Sequence, residues 1–133
     1  MAMCFGIAGQ TRRTFYVASD CHPQTISVVQ TRADGLDIKV IVSDVAAFDY
    51  KNTDLCGVLL QYPTTDGRIE NYQSVSDQIH AAGAYVVVAA DLLSLSLLKP
   101  PGEFGADVCI GNSQRFGVPM GFGGPHAAFI ATK

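Results

Sequence analysis

The stretch TFYVASDCHPQTISVVQTRADGLDIKVIV, residues 14–42, decides the fold. It opens with TFYVA (14–18), apolar and rich in aromatic and β-branched residues, and closes with IKVIV (38–42), a second run of the same kind. Runs this short and this apolar read as strands covered on both faces. Between them PQTISVVQTRADG starts at Pro23, repeats apolar residues at Ile26, Val29 and Ala33, and stops at Gly35 in the position of a helix C-terminal cap. Strand, amphipathic helix and strand make a crossover unit, whose connection is right-handed.

The same punctuation continues outward as GVLLQ (57–61), AYVVVAA (84–90), DVCIG (107–111) and HAAFIAT (126–132), which brings the expected strands to six. Asn71 stands where it can cap a second helix, with Tyr72, Val75, Ile79 and Ala82 on one face, Asp77 and His80 on the wet face, and Gly83 at its end. DLLSLSLLKPP, stopped by two prolines, reads as a short buried helix or an irregular turn. Strands alternating with crossovers predict an α/β fold with a mostly parallel sheet of order 2-1-3-4-5-6. The last strand is expected to be antiparallel, because a glycine-rich loop rather than a helix leads into it.

At 133 residues with net charge -3 the chain has the length of a single α/β domain, 1–133, and no basic footprint for nucleic acid. Its most apolar run, AYVVVAADLLSLSLL, is broken by Asp91 and falls short of the ~20 apolar residues a membrane span needs. MAMCFGIAGQTRR lacks the order of a secretory signal and reads as the tail of a helix, which points to a fragment of something longer. Cys4, Cys21, Cys56 and Cys109 have no metal-site spacing, so the expectation is reduced thiols, no metal, and a cytoplasmic setting, or a mitochondrial one if the parent is eukaryotic.

Ligands of open α/β sheets collect beyond the carboxyl ends of the strands. Those ends offer Asp20, Cys21 and His22; Tyr62 and Pro63; Asp91; and Asn112 to Arg115. Cys21 with His22 is a poor nucleophile pair, since sequence neighbours point apart and a thiolate needs its base within hydrogen-bond reach. A phosphoacceptor receiver is excluded because the third strand ends in Gln61 and Tyr62 instead of an aspartate. QRFGVPMGFGGPH (114–126) is neither a dinucleotide fingerprint, as a strand follows it, nor a Walker loop, which needs Gly-Lys-Ser or Gly-Lys-Thr. Its glycines let backbone approach a ligand or a partner closely.

CHPQT (21–25), VVQTRA (28–33), GVLLQYPTTDG (57–67), PPGEFGAD (100–107) and SQRFGVPMGFGGPHAAF (113–129) together resemble the glycine decarboxylase P-protein family of the glycine cleavage system. The resemblance runs in order over nearly the whole chain. It covers a slice of the amino-terminal half of that large protein, or of the alpha subunit where the enzyme is split. It implies part of the large domain of a fold-type I pyridoxal-phosphate enzyme, in a parent that decarboxylates glycine and passes the aminomethyl group to the lipoyl arm of the H-protein.

In the family's carboxy-terminal half, or beta subunit, a lysine holds the cofactor as a Schiff base. The matching position here is Gln114 counted from the glycines, or Arg115 counted from the strand. An amide is no amine nucleophile and a guanidinium stays protonated, so neither forms an imine. The resemblance therefore implies the degenerate half, inactive alone, with pyridoxal phosphate held by the other half.

Asp91 lies near the family's pyridine-nitrogen carboxylate, but the spacing is offset and the role is not carried over; a helix cap is the plainer reading. Arg115 is expected to hold a substrate or partner carboxylate at the site rim, with His22, His126, Gly123 and Gly124 as further rim candidates. Two rivals stand beside this reading: a structural module that completes the fold and dimer interface without touching substrate, and a free-standing flavodoxin-like domain. With the strand before the chain missing, HAAFIAT would be an exposed apolar edge, so self-association is expected.

Overall fold

The computed structural model describes residues 1–119, 121 and 127–133. Six strands, β1 (Thr14–Ala18), β2 (Lys39–Ser43), β3 (Leu55–Tyr62), β4 (Tyr85–Ala90), β5 (Val108–Asn112) and β6 (Ala128–Thr132), form one sheet of order β2-β1-β3-β4-β5-β6. All neighbours are parallel except β5 and β6, which pair antiparallel with Ile110 opposite Ile130. This is the expected order and the expected reversal at the last strand. Strand limits move by a residue or two: β3 starts at Leu55 rather than 57, and β2 runs one residue later than IKVIV.

The helices divide between the two faces. Helix α1 (Ala2–Ile7) and helix α2 (Pro23–Asp34) cover the face that bears Phe15, Gly57 and Leu59. Helix α3 (Gln73–Ala81) covers the other, where the Tyr72, Tyr62 and Phe104 rings meet with centroids 5.2–6.4 Å apart. On that side Tyr16 also stacks on Phe48 at 4.8 Å. Alternation along β3 sends odd-numbered residues to one face and even-numbered residues to the other, and all eight are buried.

One detail corrects the sequence-based expectations, at the start of α3, and two others refine them. Gly35 does cap α2, but in right-handed conformation (φ -70), and the left-handed turn falls to Asp37 (φ 53). The N-cap of α3 is Tyr72 rather than Asn71; the Asn71 carboxamide instead accepts from the Gln73 N–H at 3.1 Å. His80 is not simply solvated, because its Nε2 lies 2.8 Å from an Asp107 carboxylate oxygen that also accepts from the Val86 N–H. The tie fixes the end of α3 to the amino ends of β4 and β5. The segment after β4 resolves into single 3-10 turns at Ser94–Ser96 and Pro101–Phe104, since prolines deny a longer helix its N–H donors.

The amino ends of the strands are bound together by Arg12. Its guanidinium donates to the carbonyls of Ala82 at 3.0 Å, Gly83 at 2.7 Å and Leu55 at 3.4 Å, which joins the entry to β1 with the exit of α3 and the start of β3. Beside it the Asp54 carboxylate accepts from the Arg13 N–H and the Thr14 hydroxyl, and these bonds hold its pKa below the usual carboxylate range.

Gly57 marks the closest approach of helix to sheet. A Cβ there would sit 2.8 Å from the Tyr85 carbonyl oxygen and 3.1 Å from both the Cys4 Cβ and the Phe15 ring. Gly57→Ala is therefore expected to destabilise the fold by about 1–3 kcal/mol through overpacking. Gly102→Ala, with nothing within 4 Å of the new methyl, should stay within ~0.5 kcal/mol of the parent protein. Urea unfolding of the two variants checks the contrast.

Candidate functional site

The carboxyl ends of β1, β3, β4 and β5 bring two charged clusters to one rim of the sheet. The first grows from the turn after β3, where an Asp-Gly pair makes the chain reverse. Thr64 donates its hydroxyl to Asp66 and accepts from the Arg68 N–H at 2.9 Å, so the turn is closed by its own side chain. Arg68 then lies among three carboxylates: Asp66 at 2.8 Å, Glu70 at 3.0 Å and Asp20, from the end of β1, at 3.6 Å. The Thr65 N–H donates to the Asp20 carbonyl, and the Thr65 hydroxyl lies 2.9 Å from His22 Nδ1.

These contacts bear on two residues singled out in the sequence. His22 is exposed and engaged with Thr65. Cys21 is buried, its thiol points to the Leu59 carbonyl, and burial followed by the Asp20 charge pushes its pKa up to about 12. A group that protonated is no thiolate nucleophile.

Asp20 borders a polar cleft of about 520 Å³ that opens between β1, β2 and α3 and is lined by Ser19, Asp44, Tyr50, Arg68 and Tyr72 among others. One of its carboxylate oxygens is buried without a hydrogen-bond partner. Burial raises the Asp20 pKa, and the Arg68 charge only partly opposes it.

The second cluster joins β4 to β5. The Asp91 carboxylate bonds the Arg115 guanidinium, while its other oxygen accepts from the Leu93 N–H at 3.1 Å and caps the turn that follows. The Asp91 N–H in turn donates to the Tyr62 carbonyl at 3.0 Å, which connects the two clusters through backbone. Gln114 and Arg115 occupy a 3-10 turn, Gln114–Phe116, directly after β5.

Arg115, expected at the site rim, stands directly after β5. Its anion is Asp91 of the same chain, and the capping role foreseen for Asp91 is only half of what that side chain does. His126, Gly123 and Gly124 lie outside the described residues. Thr64, Thr65, Asp66 and Arg68 went unrecognised in the sequence, although the Asp-Gly turn signal just past β3 was there to be read. Among the described residues no group of three or more His, Cys, Asp or Glu side chains is placed to hold a metal ion.

The sheet order and the antiparallel last strand are those of the large domain of fold-type I pyridoxal-phosphate enzymes. The same fold recurs in an apo methionine gamma lyase from Micromonospora echinospora, with a TM-score of 0.64 and 24% identity over 84% of this chain and 32% of that one. It recurs too in a Campylobacter jejuni protein whose structure holds pyridoxyl-lysine monophosphate, with a TM-score of 0.61 and 12% identity over 83% of this chain and 28% of the other. The chain belongs to the glycine cleavage system P-protein family, whose sequence model matches residues 1–133.

Glycine dehydrogenase (decarboxylating), mitochondrial, of Flaveria anomala is 58% identical over all 133 residues, and the corresponding protein of Nostoc punctiforme is 53% identical. The chain spans 13% of the first of these relatives and 14% of the second. A crystal structure of glycine decarboxylase (P-protein) in inhibitor-bound form superposes with a TM-score of 0.86 and 33% identity, over 98% of this chain and 30% of that one.

Two outcomes test the rim. Because the Arg115 side chain is 62% exposed, a double-mutant cycle of Asp91→Asn and Arg115→Gln should give a coupling of only about 0.5–1 kcal/mol in urea unfolding. For Asp20, the raised pKa means that the folded state keeps a proton the unfolded state has already lost. Stability therefore falls as pH rises from the ordinary carboxylate value through the raised one. Asp20→Asn should flatten that part of the stability profile measured by urea unfolding across acidic pH.

Proposed function

We propose that this chain is a segment of a pyridoxal-phosphate-dependent glycine decarboxylase, an oxidoreductase, and comes from the half that lacks the cofactor lysine. The observation that carries the reading is chemical. At the exit of β5, where such a lysine is needed, stand Gln114 and an Arg115 already joined to Asp91.

The chain's lysines lie elsewhere. Lys39 and Lys133 sit at the amino-end side of the sheet, and Lys51 and Lys99 sit in connections before β3 and β5. The residues present thus do not fit a covalent anchor for pyridoxal phosphate, and no step of the reaction is assigned to them.

In this reading the cofactor and the decarboxylation belong to the carboxy-terminal half or beta subunit of the parent. Glycine and the lipoyl H-protein are met by the assembled enzyme, and the 133-residue chain alone is inactive. The setting is cytoplasmic, or mitochondrial for a eukaryotic parent, as the mitochondrial naming of plant relatives supports. Among the described residues no helix is long and apolar enough to cross a membrane.

A second reading, a module that completes the fold and subunit interface without touching substrate, is favoured by one fact: the charges of Asp91 and Arg115 are matched within the chain. Arg115→Ala in the longer parent separates the two. Loss of glycine decarboxylation with assembly intact supports a site role, and unchanged turnover supports the structural one.

Titrating this chain with pyridoxal phosphate, followed by borohydride reduction and mass spectrometry, tests the shared premise. Only scattered, substoichiometric labelling is expected; a stoichiometric adduct on one lysine would overturn the assignment.

A further inference from the structure

The sequence contains two Asp-Gly bonds, at Asp34 with Gly35 and at Asp66 with Gly67. An aspartate before glycine is open to attack on its own side chain by the next backbone nitrogen, because glycine has no Cβ to crowd the approach. The nitrogen bonds to the carboxyl carbon and gives up its proton, and the hydroxyl of the protonated carboxyl leaves as water. Water then adds back to the five-membered succinimide. Addition at the side-chain carbonyl breaks the new bond and restores aspartate. Addition at the α-carbonyl breaks the original peptide bond and leaves isoaspartate, whose backbone runs through the side chain and is one methylene longer. The water lost in the first step is regained in the second, and nothing is oxidised or reduced.

The two bonds are restrained by different means. Asp34 ends α2 and Gly35 keeps helical angles (φ -70, ψ -11), so the helix fixes the backbone there. Asp66 lies in the turn after β3, and its restraint comes from side chains. The Thr64 hydroxyl donates to one Asp66 carboxylate oxygen at 2.5 Å and the Arg68 Nε to the other at 2.8 Å, so both oxygens are held. The Gly67 N–H donates to the Thr64 carbonyl at 2.9 Å, a bond the attacking nitrogen must surrender. Thr64 is itself buried and accepts from the Arg68 N–H, which gives the grip a fixed base. The Thr64 and Arg68 hydrogen bonds also hold the Asp66 pKa below the usual carboxylate range. An ionised carboxylate has no hydroxyl to lose.

We propose that the Asp66–Gly67 bond is a latent isoaspartate site, kept closed by the grip of Thr64 and Arg68 on the Asp66 carboxylate. Every bond of the grip lies within residues 64–68, so the restraint is local to the turn. Its failure reaches the rim. An added methylene between Asp66 and Gly67 parts Thr64 from Arg68, and the guanidinium loses the place from which it meets Asp20.

Prolonged incubation of the folded chain at mildly acidic pH tests the proposal. Isoaspartate is located by isoaspartyl methyltransferase labelling and peptide mapping, with circular dichroism as the fold check. Arg68→Ala removes one donor from the exposed side of the turn, and Thr64→Val removes the other. Each should speed isomerisation at Asp66 about tenfold, the worth of one charge-assisted hydrogen bond expressed as a rate. Asp34 should keep its wild-type rate in both variants and serves as the internal reference. Thr64→Ser, which retains the hydroxyl, should react as slowly as wild type, and urea-unfolded wild type should react at Asp66 faster than the folded chain.

A folded Arg68→Ala chain whose Asp66 isomerises no faster than wild type would overturn the proposal. So would equal acceleration at Asp34 and Asp66, which would mean a general loosening of the fold, or an Asp66 that reacts as fast in the folded wild-type chain as in urea.

Discussion

The structure depends on β3 having no solvent-facing side. Its eight residues are buried, β1 and β4 flank it in parallel, α1 packs on one face, and the Tyr72 and Phe104 rings meet Tyr62 on the other. A strand so placed pairs its backbone only within the sheet and contributes apolar contact in both directions. Cys56, Val58 and Leu60 are fully buried on one side; on the other, Gly57 yields the room that α1 needs. Every rim residue is positioned relative to that strand: the Asp66–Arg68 turn continues its chain, and the Tyr62 carbonyl anchors Asp91.

The rim it supports is electrostatically self-contained. Arg68 has three carboxylates and Arg115 has Asp91, so the cations of these two clusters are engaged before any ligand arrives. Such exposed pairs contribute little to stability, yet they set the direction in which each side chain points. Asp20 is the strained member, with one oxygen buried and unpartnered and its pKa lifted by desolvation.

The fold was legible in the sequence because burial dictates pattern. The continuous apolar runs TFYVA and AYVVVAA can only be strands covered twice, and the stripe Ile26, Val29, Ala33 can only be one helical face. The glycine-rich lead into β6 announced its reversal. The site was less legible because its contacts are long-range. Asp20 and Arg68 are 48 residues apart, Asp91 and Arg115 are 24, and no local periodicity records such pairings. His22 showed itself by its place at the end of β1, but its partner Thr65 is 43 residues away and invisible from sequence. The lysine-free exit of β5, in contrast, is a matter of residue identity and was readable at once.

The strand order also has a kinetic meaning. After β2 and β1 have paired, each later strand joins the edge left open by its predecessor: β3 on β1, then β4, β5 and β6 in turn. No strand has to be inserted between two already paired, so a chain emerging from the ribosome amino end first can extend its sheet strand by strand. The exception is the Arg12 clasp, which waits for carbonyls 70 and 71 residues further along. Closing that span is slow relative to local pairing, and the clasp therefore locks the amino ends of the sheet only once β4 is reached.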